Sequence, residues 1–176
     1  NAMLSIVMVF AQLERETIQI RVRDAFAARS ELGTYDAVAP FGYAKARILL
    51  LGKTVSALAI DENTSDIVSR IFHRYAYSGI SLGLLAKNLN KEGVPSPGGV
   101  EWDSSKLSRM MANPIYVKAD SDIYQYYKAL GANITNSIED FVGTNGCITY
   151  GAWDRMQRKF EQWGSLSISI GLHEGI

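Results

Sequence analysis

The pattern of apolar and polar positions divides the chain into a helical start, a strand-like middle and a second run of short helices. From Leu4 to about Leu32 no Pro or Gly interrupts the chain. Over that run Ile6, Val9, Phe10, Leu13, Thr17, Ile20, Asp24 and Phe26 trace a loose, largely apolar stripe at helical spacing, and Gly33 breaks it. The first turns are apolar almost all round, which a lone surface helix does not tolerate. They are expected to bury themselves against an upstream domain or a second copy of the chain, with Val9 and Leu13 in the contact. From Glu14 onward charges alternate, so the helix can continue into solvent. Residues 34–43, TYDAVAPFGY, read as an irregular linker.

The period then changes. ARILLL and TVSALAI lie on either side of Gly52-Lys53, a turn signal between two strand-like runs, and predict a β-hairpin with one face on the helices that follow. Lys45, Arg47 and Lys53 on this hairpin are candidates for phosphate contacts, with a solvated edge as the plain alternative. A helix is expected from near Thr64 to Ser78, turning Ile67, Val68, Ile71, Phe72 and Tyr75 inward and Arg70, His73 and Arg74 outward, before Gly79 stops it.

The stretch from Ile80 to Val117 carries the most information. Leu82, Leu85, Ala86 and Leu89 share one face of a short helix that Ser81 can cap and Gly93 can end. Pro95, Pro97, Gly98 and Gly99 force a turn. Asp103 or Ser104 then caps a second helix with Leu107, Met110 and Met111 inward, and Asn113-Pro114 ends it, because a residue before proline is pushed out of the α region. Two short helices with a turn between them suit a helix-turn-helix, though this turn exceeds the usual three or four residues. Ser105, Lys106, Arg109 and Asn113 share the outer stripe of the second helix, a set able to reach base edges and phosphates in a major groove. A helical hairpin with a solvated face is the alternative.

Beyond Val117 the pattern weakens. DSDIYQYYKALG predicts a helix from Asp120 or Ser121 to Gly131, its tyrosines packing in the core and at its rim. A short helix near Ile138 to Phe141 and another from about Trp153 to Trp163 are expected. SLSISI, 165–170, alternates as a strand.

Composition narrows the function classes. The chain has 176 residues, 47% of them hydrophobic, enough to bury a real core. Eighteen basic and eighteen acidic residues cancel, so no global charge announces a nucleic-acid partner. The single cysteine, Cys147, excludes an internal disulfide framework and a four-cysteine zinc site, and suits a reducing cytoplasm. His73 has no partner at ligand spacing and reads as a surface residue, so neither a metal nor a cofactor is expected. No apolar run is long enough to span a membrane. Asn1-Ala2 before a methionine reads as a cloning scar.

The residues in LAKNLNKEGVPSPGGVEWDSSKLSRMMANPIYV resemble the recombinase domain of the large serine recombinases, among them phage integrases and conjugative-transposon resolvases. Leu89, Asn90, Gly93, Val94, Pro95, Ser96, Trp102, Asn113, Pro114 and Tyr116 carry the likeness. FAQLERETIQIRVRDAFAARSELG is similar to the segment joining the catalytic domain of that family to its DNA-binding part, on Phe10, Ala11, Gln12, Glu14 and Arg15. Pro40, Gly42 and Tyr43 match a later step, while Tyr35, Asp36 and Val38 depart from the more basic or glycine-rich linkers of the family. NPIYVKADSDIYQYYKALGANI is similar to a subgroup from low-GC Gram-positive bacteria, and LHEGI to a step leading toward a zinc ribbon.

The resemblance implies a fragment of a serine recombinase that begins after the nucleophilic serine. It makes Arg15 and Arg21 remnants of the active-site periphery, sends the linker along a minor groove, and gives double-stranded DNA as partner. The expected organisation is a long dimerisation helix over 1–33, a linker over 34–43 and a DNA-binding domain over 44–176. The expected fold is α+β, mainly α. The expected assembly is a homodimer, and a tetramer in the synaptic complex of the full-length enzyme. A helix-turn-helix transcription regulator dimerising through its long helix is the alternative, and a protein-interaction module with no DNA role is the third reading.

Overall fold

The computed structural model describes residues 2–150 and 167–176, so the helix expected from Trp153 to Trp163 lies outside the described residues. The fold is α+β and mainly α, as the sequence predicts. Helix α1 (Ala2–Glu31) leads into a hairpin of β1 (Tyr43–Leu50) and β2 (Lys53–Ile60). Then come α2 (Ser65–Ser78), α3 (Leu82–Lys91), α4 (Ser104–Met111) and α5 (Ser121–Ala129). A second sheet holds β3 (Asn133–Ile134), β5 (Ser167–Glu174) and β4 (Asn145–Tyr150) in that spatial order.

The helix boundaries follow from local chemistry. Ser81 Oγ accepts from Leu84 N at 3.3 Å, Asp103 Oδ1 from Lys106 N at 2.8 Å, and Asp120 Oδ1 from Ile123 N at 2.9 Å. Each side chain thus satisfies an amide that a helix start leaves without a partner. At the far end of α3, Val94 N donates to Leu89 O and Gly93 N to Asn90 O, a Schellman closure that needs Gly93 at φ 67°.

The hairpin pairs Tyr43 with Ile60 through to Leu50 with Lys53, so its turn is Leu51-Gly52. This corrects the Gly52-Lys53 turn expected from the sequence. A two-residue turn that follows the strand twist needs positive φ at both positions, and the chain supplies 49° at Leu51 and 76° at Gly52.

Two apolar clusters make the core. The larger joins Tyr43 and Leu58 of the hairpin to Ile67, Val68 and Ile71 of α2, Leu85 and Leu89 of α3, Trp102, and Leu107 and Met110 of α4. Tyr75, expected inward, is 41% exposed: it sits at the edge of the α2 stripe where the cluster ends. The smaller cluster sets Ala119, Phe141, Cys147 and Ile168 beneath Ile123, Tyr124 and Tyr127 of α5.

The strand expected at 165–170 is longer at its C-terminal end. LHEGI, which the sequence presents as an exit, supplies the end of a sheet strand. The linker is also more than a connection. Gly42 and Tyr43 are buried, Phe41 stacks edge-on against Trp102 with ring centroids 5.7 Å apart, and Tyr35 N donates to Ser56 O at 3.0 Å. Only Asp36, Ala37 and Val38 in residues 34–43 are exposed.

Candidate nucleic-acid interface

The α3–α4 unit is organised by one side-chain pairing. Asn90, in the last turn of α3, accepts from the main-chain amide of Trp102 at 2.7 Å and donates to the Trp102 carbonyl at 2.9 Å. A side-chain amide thus pairs with a peptide unit as a neighbouring strand would, and it pins the residue before the α4 cap to the end of α3. The Trp102 indole is buried and donates to the Val94 carbonyl at 3.0 Å, spanning the Gly/Pro turn from inside. Although twelve residues separate the two helices, the turn is held at both ends. A rigid α4 is the consequence, and presenting a helix to a groove requires one.

On α4 the buried stripe is Leu107 and Met110, with Met111 half-buried, and the opposite side presents Ser105, Ser108 and Arg109. Arg109 Nε lies 3.3 Å from the Ser105 carbonyl, so its side chain runs back along the helix toward the N-terminal turn. Two members of the expected outer stripe are placed differently. The Lys106 amine turns back onto the carbonyls of Glu101 and Val100 and lies 4.0 Å from Asp103. Asn113 is half-buried and uses its Oδ1 to accept from Ile115 N at 3.2 Å, capping a 3-10 turn. It lines a cleft of about 310 Å³ with Arg29, Tyr35 and Thr149, on the linker side of the molecule.

Lys45 and Arg47 are exposed on β1, and the Lys45 amine donates to the Asp36 carbonyl at 3.1 Å. Arg15 and Arg21 are exposed on α1. Val9 and Leu13 are more than half exposed there, Val9 within and Leu13 just after a largely apolar exposed stretch from Met3 to Phe10. His73 is exposed on α2, its ring 4.6 Å from that of Tyr77. Beside it Arg74 forms a two-pronged pair with Glu92, at 2.8 and 2.9 Å, that ties α2 to the end of α3 and lowers the Glu92 carboxyl pKa. Burial pushes the Cys147 thiol up to about 12, so it stays protonated and is no nucleophile.

A polar junction links the α3–α4 unit to the rest of the chain. His173 of β5 is buried, its Nε2 3.1 Å from the Ile115 carbonyl. A carbonyl only accepts, so Nε2 carries the proton and Nδ1 is the acceptor, buried without a hydrogen-bond partner among the described residues. The Tyr43 hydroxyl reaches the same Ile115 carbonyl at 3.1 Å and the Glu174 carbonyl at 2.9 Å, and the Tyr43 ring meets His173 edge-on. Burial lowers the His173 pKa below the ordinary imidazole value. Burial also raises the Tyr43 hydroxyl well above the usual phenol range. This junction fixes Ile115, four residues beyond the end of α4.

Sequence reasoning missed the Asn90 clamp and the His173 junction. The pairing of Asn90 with Trp102 spans a turn whose length hides it, and His173 carries no local signature. A family model described as Recombinase matches residues 62–176, from the entry to α2 through the last residue of β5 and beyond. No curated protein and no solved structure matches the chain.

Proposed function

The chain belongs to the Recombinase family, and from that footing we propose that it is the DNA-binding portion of a serine site-specific recombinase, recognising the attachment site at which DNA is integrated or excised. Family membership places the protein in DNA recombination. The observation that carries the finer reading is α4: a short helix, clamped at its start by Asn90 and Trp102, that turns Ser105 and Arg109 to solvent. Arginine reaches guanine O6 and N7 or a phosphate, and serine either kind of acceptor. Lys106 would support this helix by holding its entry loop. Lys45 and Arg47 would lie against phosphates, and Asn113 would contact DNA only from the linker side.

The exposed apolar start of α1, with Val9 and Leu13, would pair with a second copy, giving a dimer and, in a complete recombinase, a synaptic tetramer. Among the described residues no helix is long and apolar enough to cross a membrane. The proposed place of action is the cytoplasm, where the DNA lies.

The test is a binding titration of the parent and Arg109→Ala on a duplex selected from a random pool by the parent, and on its scrambled counterpart. A base-reading Arg109 costs about 1–3 kcal/mol on the selected duplex alone. A phosphate-bound one weakens both duplexes alike and lowers the salt slope by about one. Parent-like binding of both duplexes by Arg109→Ala would remove α4 from the groove. Sedimentation of Val9→Glu/Leu13→Glu beside the parent tests the dimer: the variant should be lighter at equal concentration with an unchanged melt.

A further inference from the structure

The β1–β2 hairpin has a tip that the fold does not explain. Its buried residues, Tyr43, Ala57 and Leu58, lie in the half away from the turn; toward the turn Ile48, Leu50 and Val55 are half-buried, and Arg47, Leu49 and residues 51–54 are exposed. Beyond Ser56, whose carbonyl accepts from Tyr35 N, about three residues of each strand project, roughly 10 Å at 3.3 Å per residue. Leu49 is 76% exposed at this tip and Leu51 87%. The Leu51-Gly52 turn, with both φ values positive, is of a kind that favours Asn-Gly or Asp-Gly. A leucine there is sterically strained where asparagine is not. The chain therefore keeps a large apolar side chain at the position where it is most exposed and fits the backbone least.

The surrounding charge is one-sided. Between Asp36 and Asp61 the chain holds Lys45, Arg47 and Lys53 and no acidic residue, in a protein whose charges cancel over its whole length. The pairing register puts Lys45, Arg47 and Leu49 on one face of β1, with Thr54 opposite Leu49 and Lys53 at the exit of the turn.

We propose that this hairpin is a DNA-bending arm: Leu49 and Leu51 wedge into a base step from the minor groove, while Arg47 and Lys53 lie against the flanking phosphates. The proposal rests on the DNA-binding reading above. Residues 48–52, Ile-Leu-Leu-Leu-Gly, carry no side-chain donor or acceptor, so this apolar stretch makes no side-chain hydrogen bond to a base edge in a major groove. Apolar side chains at a groove-facing tip instead suit partial unstacking, the device by which minor-groove proteins kink a duplex by about 20–90°. Cations on both strands around the apolar tip complement the phosphates on either side of such a step.

The experiment measures energy transfer between dyes at the two ends of a duplex selected from a random pool by the whole chain. Parent, Leu51→Asn and Leu49→Ser/Leu51→Asn are compared, with thermal melts alongside. The parent should shorten the end-to-end distance, and the double variant should lose more than half of that change. Leu51→Asn should melt at or above the parent temperature, since Asn-Gly suits the turn, so a lost bend in that variant is not lost folding. A parent that binds without bending, or a double variant that bends like the parent, overturns the arm and leaves the α4 reading standing. An unchanged bend with a lighter particle in sedimentation also overturns it, assigning the tip to a protein contact. A parent that selects and binds no duplex overturns both readings.

Discussion

The α3–α4 unit and the C-terminal sheet are held together in opposite ways. Between Ser81 and Asn113 the caps, the Asn90–Trp102 pairing and the indole bond to Val94 all join residues at most 12 positions apart. In the sheet of β3, β4 and β5 the key bonds are remote. His173 meets Ile115 across 58 positions and Tyr43 meets Glu174 across 131, while Leu172 N donates to the Gly33 carbonyl at 3.0 Å and so fastens the end of α1 to β5. The first region shapes a surface by itself, and the second fixes where that surface sits relative to α1, the linker and the hairpin. A substitution in the α3–α4 unit should therefore act on that unit first, whereas one in the sheet should loosen elements far apart in sequence.

The largest expected effect comes from Trp102→Ala. The indole is buried, fills the space between α3 and α4, and bonds the turn from within. Its removal should cost about 3–5 kcal/mol in chemical denaturation, as large aromatic truncations in a core do. Amide exchange should rise in α3 and α4 more than in β4 and β5. Equal acceleration in both regions would contradict the local character assigned to the first.

Gly171→Ala strikes the other region. A Cβ there would overlap His173 Nδ1 and lie 3.0 Å from Ile148 Cδ1, so the ring must leave its slot. Overpacking of this kind costs about 1–3 kcal/mol. The same change in a His173→Ala background should cost clearly less, because the atom it meets is gone. A double-mutant cycle in denaturant measures that coupling, and additive losses would show that His173 is not what Gly171 accommodates.

The same contrast explains what was legible in the sequence. Ser81, Gly93, Asp103 and Asp120 could be named as helix boundaries because each cap is a short-range hydrogen bond within its own few residues. Leu85, Leu89, Leu107 and Met110 could be named as core from helical spacing. The turn of the hairpin was displaced by one residue because Gly52 suits either turn position, and a leucine at positive φ is not a signal anyone reads. Gly146 and Gly171 each make room for the His173 ring. Nothing near Gly146 in sequence announces a histidine there, and at Gly171 the spacing to His173 does not show that the ring folds back over the glycine. On α4, spacing put Lys106 and Asn113 outward, but spacing does not foresee that nearby carbonyls capture the lysine amine or that Asn113 caps the next turn. The long-range contacts were invisible for want of any local signal, and the short-range ones on α4 because spacing gives a side chain's face and not its hydrogen-bond partner.

The smallest expected effect is a pH dependence confined to the sheet side of the comparison. His173 is neutral in the fold, with Nε2–H on the Ile115 carbonyl, and burial lowers its pKa. An unfolded histidine titrates near about 6.5, so the stability owed to the neutral ring is complete above that pH. As pH falls below it, the unfolded chain takes up a proton that the folded chain refuses, and stability declines until the folded pKa is passed. A single proton can tilt the profile by at most about 1.4 kcal/mol per pH unit. Carboxylates held low in the fold, Asp61 and Glu92, lose their contribution only below the ordinary carboxylate range of about 4. The interval from about pH 6.5 to 5 therefore isolates the imidazole. Denaturant midpoints should fall across that interval for the parent and stay level for His173→Gln, whose amide can still donate to Ile115 without taking a proton. If the parent is level there too, or if the glutamine variant declines with it, His173 is not the group that couples this junction to pH.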